Sequence, residues 1–297
     1  MLGGNTARII DMCLLRHPGT AELAKAASSR TVGKEIRELE DLGVLTRYPA
    51  KGASAGRPKL RCRLTPAGLE LKRVLDDIRF RADYRRVELA GIPVTVGLFR
   101  SMAEGYGAPL VTGHGLAVPE GMEKRARALA RWSGVEVEGI GLEGFAERGA
   151  VAEGLRYIGL EDVIVLAAAN EKDPARLQAC ATTLINDFAR RIDYGLLLEL
   201  ALKAGAVNEV GGLLFLTNRL AGRGVVRREV LDGFLRRVAR RRVERHPRYE
   251  ILVAQGVPPS EAEHSADAEV REKWHARLPT FEECREVFGW RGVGRVG

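Results

Sequence analysis

Arg30, Lys34 and Arg37 fall at i, i+4 and i+7, which puts three cations on one face of a helix, with Thr31 beside them. Arg47, Lys51, Arg57 and Lys59 follow, in and around a run of Pro, Ala, Gly and Ser (49–59) too small and flexible to pack. Cations set out this way suit phosphate oxygens and the acceptor atoms on base edges. Net charge agrees: residues 1–82 hold 16 Lys+Arg against 9 Asp+Glu, a balance of +7. Residues 83–220 hold 15 against 18, or −3, and residues 221–297 hold 16 against 12, or +4. A basic N-terminal unit fits a polyanion, though a merely solvated basic face has the same composition.

Other reactive residue types are more scattered. Glu136 and Glu138 stand one residue apart on an expected strand, where alternate side chains share a face and two carboxylates could hold Mg²⁺. The same spacing is also the solvent side of any amphipathic strand. His114 sits between two glycines with no partner nearby in sequence, and reads as a structural turn residue. Asp173 and Asp193 stand where helices begin, as caps. Cys13, Cys62, Cys180 and Cys284 have neither zinc nor disulfide spacing, which fits a reducing cytoplasm. No nucleophile elbow, phosphate loop or dinucleotide fingerprint is found, so no catalytic residue, metal ligand or cofactor is expected. No run of eighteen apolar residues exists, so no membrane span is expected. Abundant Arg and Gly with scarce Gln suggest a thermophile, archaeal by expectation.

The elements that must carry the first cations are legible. A helix is expected over 6–15, broken by His17-Pro18-Gly19, then a short helix capped by Thr20. A third runs over 30–42, its apolar stripe Val32, Ile36 and Leu39, ended by Gly43 as a left-handed cap. Strands over 44–48 and 60–64 flank the glycine-rich loop. Thr65 caps a fourth helix with Pro66 in its first turn. That helix carries a seam of Leu71, Val74, Leu75 and Ile78, which either packs on the first helix or meets a second copy.

Leu39, Leu42, Gly43, Val44 and Leu45, then Gly56-Arg57-Pro58, then Leu64-Thr65-Pro66 and Gly68, resemble the winged helix-turn-helix regulators of bacteria and archaea over about the first 80 residues. The resemblance implies a recognition helix bearing Arg30, Thr31, Lys34 and Arg37, and a wing whose Arg47, Lys51, Arg57 and Lys59 meet phosphates or the minor groove. It implies double-stranded DNA as partner and a homodimer on a palindromic site.

The middle region reads as α/β, with strands over 92–96, 109–112 and 135–140 and helices over 98–106, 123–132, 160–169, 174–185 and 193–204. The segments 110–117, 160–166, 172–176 and 192–194 resemble the nucleotidyltransferase-like domains of some antitoxin and toxin proteins. That family carries Asp-x-Asp after its glycine turn; here the nearest pair is Glu136-x-Glu138, displaced along the chain. The resemblance therefore implies a fold kept without the chemistry, serving to sense a small-molecule or protein effector or to dimerise. A nucleotidyltransferase-type toxin–antitoxin protein with a DNA-binding front end is the alternative to a transcription regulator. A third reading is a structural DNA binder.

A basic helix is expected over 227–245, either packed as a solvated face or forming a second phosphate-contacting surface. A short helix is expected over 281–288, with Trp274 and Trp290 docking the tail. The expectation is a mixed α/β, predominantly helical chain: a winged helix-turn-helix (1–82), an α/β domain (83–220) and a basic helical extension (221–297).

Overall fold

The computed structural model describes residues 4–15, 17–26, 29–50, 60–108, 115–131, 134–170, 174–240, 247–261, 272–276, 278–280 and 283–287. The chain is mixed α/β and predominantly helical, and divides into two compact units, Met1–Ala82 and Asp83–Gly297. Among the described residues no helix is long and apolar enough to cross a membrane.

The first unit runs α1 (Gly4–Leu15), α2 (Thr20–Ala26), α3 (Ser29–Asp41), β1 (Leu45–Pro49), β2 (Leu60–Leu64) and α4 (Pro66–Leu89), the last turns of which belong to the second unit. Its core is the apolar face of each element: Ile9, Ile10 and Cys13 of α1, Leu23 of α2, Val32, Ile36 and Leu39 of α3, and Val44, Leu45 and Cys62 around the hairpin. Gly43, at φ 69°, ends α3. Its N–H donates to the Glu40 carbonyl and that of Val44 to Leu39, the paired bonds that satisfy a helix's last carbonyls. The cap of α2 differs from the Thr20 expected. The Glu22 carboxylate accepts the Gly19 N–H at 2.9 Å, while the Gly19 carbonyl accepts from Glu22 and Leu23, so the loop glycine and the third helical residue close the turn.

The start of α4 shows why its motif has that form. Thr65 Oγ1 accepts the Gly68 N–H at 3.0 Å and its hydroxyl donates to the Gly43 carbonyl, while the Thr65 N–H reaches the Val44 carbonyl. A Cβ on Gly68 would stand 2.1 Å from the Val44 oxygen. Glycine is required there because the first turn of α4 lies directly on the backbone entering β1. The expected seam on α4 is divided: Leu71 and Leu75 pack on the core, while Val74 and Ile78 remain 48% and 57% exposed.

The second unit starts from a three-stranded sheet in the order β3-β4-β5: β3 (Thr95–Val96), β4 (Gly115–Pro119) and β5 (Glu136–Ile140). β3 pairs antiparallel with β4, and β4 parallel with β5, with α6 (Glu123–Leu129) as the crossover. Between β3 and β4 lies α5 (Leu98–Arg100), extended by a π turn over Ser101–Gly105. After β5 come α7 (Phe145–Arg148) and the hairpin of β6 (Val151–Ala152) and β7 (Leu155–Arg156), turned through Glu153 and Gly154, both at positive φ. The rest is helical: α8 (Leu160–Ala168), α9 (Pro174–Phe188), α10 (Tyr194–Lys203), α11 (Val207–Ala221), α12 (Arg228–Leu235) and α13 (Pro247–Ala254). The expected strand over 109–112 lies outside the described residues. The central strand is the segment from Gly115, entered where a turn was expected.

No separate extension begins at 221. Phe234, Trp274, Leu278, Cys284 and Val287 belong to the same core as α8 to α11. The tail seats on a two-glycine step in α11: a Cβ on Gly211 would meet Trp274 at 2.1 Å, and one on Gly212 would meet Leu278 at 2.1 Å. The expected helix over 227–245 stops at Leu235. Asn208 of α11 draws the chain away from the helical path beyond it: its side-chain amide donates to the Ala239 carbonyl at 2.8 Å and its oxygen accepts the Ala239 N–H at 3.0 Å.

Candidate nucleic-acid interface

Burying Val32, Ile36 and Leu39 forces the opposite face of α3 outward, and Thr31, Lys34 and Arg37 are all exposed there. Lys34 stands 3.5 Å from Glu38 in a solvated i, i+4 pair, and Arg37 Nε donates to its own helix at the Gly33 carbonyl, 3.2 Å. Neither contact removes the charge from solvent. Arg30 begins the same helix, and its side chain lies outside the described set. The loop residues Lys51, Arg57 and Lys59 lie outside the described residues altogether.

Arg47 occupies a different setting from the one expected. In the β1–β2 register it pairs with Cys62, on the face of the hairpin turned to the core. Its Nε approaches both Glu40 oxygens, at 3.1 and 2.9 Å, and its Nη2 lies 2.5 Å from Oε2. This fork ties β1 to the end of α3. The hydrogen bonds from Arg47 hold the Glu40 carboxyl below its ordinary value. Arg47 thus positions the third helix against the hairpin and is engaged within the protein. Beneath it, burial pushes the Cys13 thiol up to about 12 and raises that of Cys62, so both stay protonated and inert at neutral pH.

The outward face of the hairpin carries residues that the sequence reading passed over. Tyr48 pairs with Arg61 and Thr46 with Arg63. The Arg63 guanidinium lies 5.6 Å from the Tyr48 ring centroid, and Tyr48 Oη lies 2.6 Å from His17 Nδ1. The segment before α2 touches β2 at one bridge: Gly19 pairs with Arg61, and the Cys62 N–H donates to the Pro18 carbonyl at 3.0 Å. The Arg-Cys-Arg alternation in β2 was the available signal, since it puts two cations on one face around a buried cysteine.

In the second unit Glu138, Asp193 and Asp162 do structural work. Glu138 Oε1 accepts the Leu98 N–H at 2.6 Å, capping α5, while Glu136 is exposed on β5. Asp193 caps α10 by accepting from Gly195 and Leu196. His114 and Asp173 lie outside the described residues. Buried Asp162 takes a fork from Arg148, Nε to Oδ2 at 2.9 Å and Nη2 to Oδ1 at 2.5 Å. A groove of about 330 Å³ is lined by Ile92, Pro93, Val94 and Ala146 with Glu88, Glu147 and Arg156. Comparison with known proteins gives no match: no family model, curated protein or solved structure resembles the chain significantly.

Proposed function

We propose that the chain is a double-stranded DNA-binding transcription regulator, with a winged helix-turn-helix first unit that lays α3 in the major groove. The observation that carries this reading is the exposed face of α3. Thr31, Lys34 and Arg37 stand opposite a fully buried stripe, on a helix braced from both sides by α2 and the Arg47–Glu40 fork. Side chains held this way can reach base edges and phosphates together, and a fixed helix loses little freedom on binding. The hairpin supports it with Arg61 and Arg63 on its outward face. A homodimer would bring two such helices to half-sites about one DNA turn apart. Val74 and Ile78 of α4, exposed on the same helix as Leu69 and Leu89, are apolar residues available to a second copy. The groove beside Ile92 and Arg156 is a candidate seat for a small-molecule or protein effector.

Regulation is favoured over nucleotidyl transfer because the carboxylate nearest to that chemistry, Glu138, is engaged in capping α5. The test is selection from a random duplex library by the full chain at moderate salt. A single recurring sequence with two related half-sites is expected. Recovery of unrelated sequences at equal affinity would overturn the regulator reading and leave a non-specific DNA binder.

A further inference from the structure

We propose that residues 223–240 form a second anion-binding surface, built to grip the phosphodiester backbone of duplex DNA. The segment holds six arginines, Arg223, Arg227, Arg228, Arg236, Arg237 and Arg240, against two acids, Glu229 and Asp232, a balance of +4. All six are exposed. Among the described residues the guanidinium groups of Arg223, Arg236 and Arg240 make no hydrogen bond or ion pair. Arg228 approaches Asp232 only at 3.9 Å, and Arg237 bonds a carbonyl, that of Gly233, which leaves its charge uncompensated. Six like charges so close repel one another, and a polyanion relieves that repulsion.

The backbone beneath them is pinned. Two asparagines of α11 hold the two ends of the segment, each through both of its amide groups. Asn218 clamps Val226, donating to its carbonyl at 2.8 Å and accepting its N–H at 2.7 Å. Asn208 does the same to Ala239 and also donates to the His275 carbonyl at 3.2 Å. Between the clamps Val230, Leu231, Phe234 and Leu235 turn α12 onto the core, which fixes the polar side outward. Eight helical residues span about 12 Å, with arginines at both ends. Phosphates on one DNA strand advance about 3.4 Å each along the duplex axis, so the platform matches a run of three or four.

The kind of partner follows from what the surface lacks. No large apolar side chain of 223–240 is exposed. A protein interface draws its affinity from apolar and aromatic anchors, whereas a phosphate backbone needs only placed cations. The choice of duplex DNA rests on the reading of the first unit, and the experiment keeps the two apart.

The test uses the full chain and duplex binding over a salt series. Arg223→Gln, Arg227→Gln, Arg236→Gln and Arg240→Gln are combined in one variant. Its control neutralises four other exposed cations of the second unit, by Lys124→Gln, Arg131→Gln, Arg176→Gln and Arg190→Gln. Both should melt as the wild type does. In the platform variant affinity at about 100 mM salt should fall tenfold or more, and the salt slope should shrink by about two to four, against less than one in the control. Unchanged binding, or equal loss in both, overturns the proposal. So does a variant that loses only its binding to polyglutamate, which would make an acidic protein the partner. Loss confined to a Lys34→Ala, Arg37→Ala variant removes the platform and keeps the first-unit interface. Loss confined to the platform variant does the reverse.

Discussion

Arginine occurs in two opposite settings in this molecule. Along α4, nearly every cation has an acid beside it: Lys72 and Arg79 with Asp11 and Asp76, Arg81 with Asp77, Arg85 with Glu88, and Arg86 with Asp83. Over 223–240, and on the outer face of α3, acids are few or solvated and the cations face water. The paired set braces the scaffold, and its charge is cancelled locally. The open set contributes little to folding and keeps its charge available to a partner. Arg47 shows that the distinction cannot be made on residue type: it belongs to the basic N-terminal unit, yet it is forked to Glu40.

That contrast can be broken from the paired side first. Asp162→Ala strands Arg148 beside a buried site, and should cost about 3–5 kcal/mol of stability in a denaturant melt. A change under about 1 kcal/mol would mean that the fork is no brace.

The clamps behind the open set come next. Asn208→Ala leaves the Ala239 amide groups and the His275 carbonyl without their partner, and should cost about 1–3 kcal/mol. Combined with Asn218→Ala it should also weaken duplex binding, but by less than removal of the arginines themselves. Equal stability of Asn208→Ala and wild type would mean that the segment is held by its apolar side alone.

The Arg47–Glu40 fork should have the smallest effect, because both partners are partly exposed. Its contribution is about 1 kcal/mol at most. The folded carboxyl of Glu40 lies below its unfolded value. The stabilisation is therefore present above about pH 4.3 and is lost as pH falls through the lowered folded value. Melts of wild type and Glu40→Gln should accordingly differ at pH 7 and converge in acid. A gap that persists at pH 2 would assign the effect to packing.

What the sequence revealed, and what it hid, divides along the same line. The α3 stripe, the Gly43 cap and the Thr65-Pro66-x-Gly68 entry to α4 were legible, because each rests on contacts within a few residues or on one helical period. The pairing of Arg47 was hidden because its acid, Glu40, lies across the turn from helix to strand. α11 escaped notice because its burial runs on through Asn208, Gly211, Gly212 and Thr217, beyond the face of Val207, Val210 and Leu214, and polar residues with a glycine pair do not read as the interior of a buried helix. The end of α12 was misread for the same reason: the residue that stops it, Asn208, is 31 positions away. The open cations were visible as composition. Their arrangement depended on long-range clamps that no local pattern records.

The most direct measurement of the central claim is the affinity of the full chain for its selected duplex, across a salt series, for wild type and the Lys34→Ala, Arg37→Ala variant. An affinity loss of at least tenfold with an unchanged melting temperature, and a salt slope smaller by about two, are expected. Equal affinity and equal slope in the two proteins would contradict the claim, since α3 would then not be the surface that meets DNA.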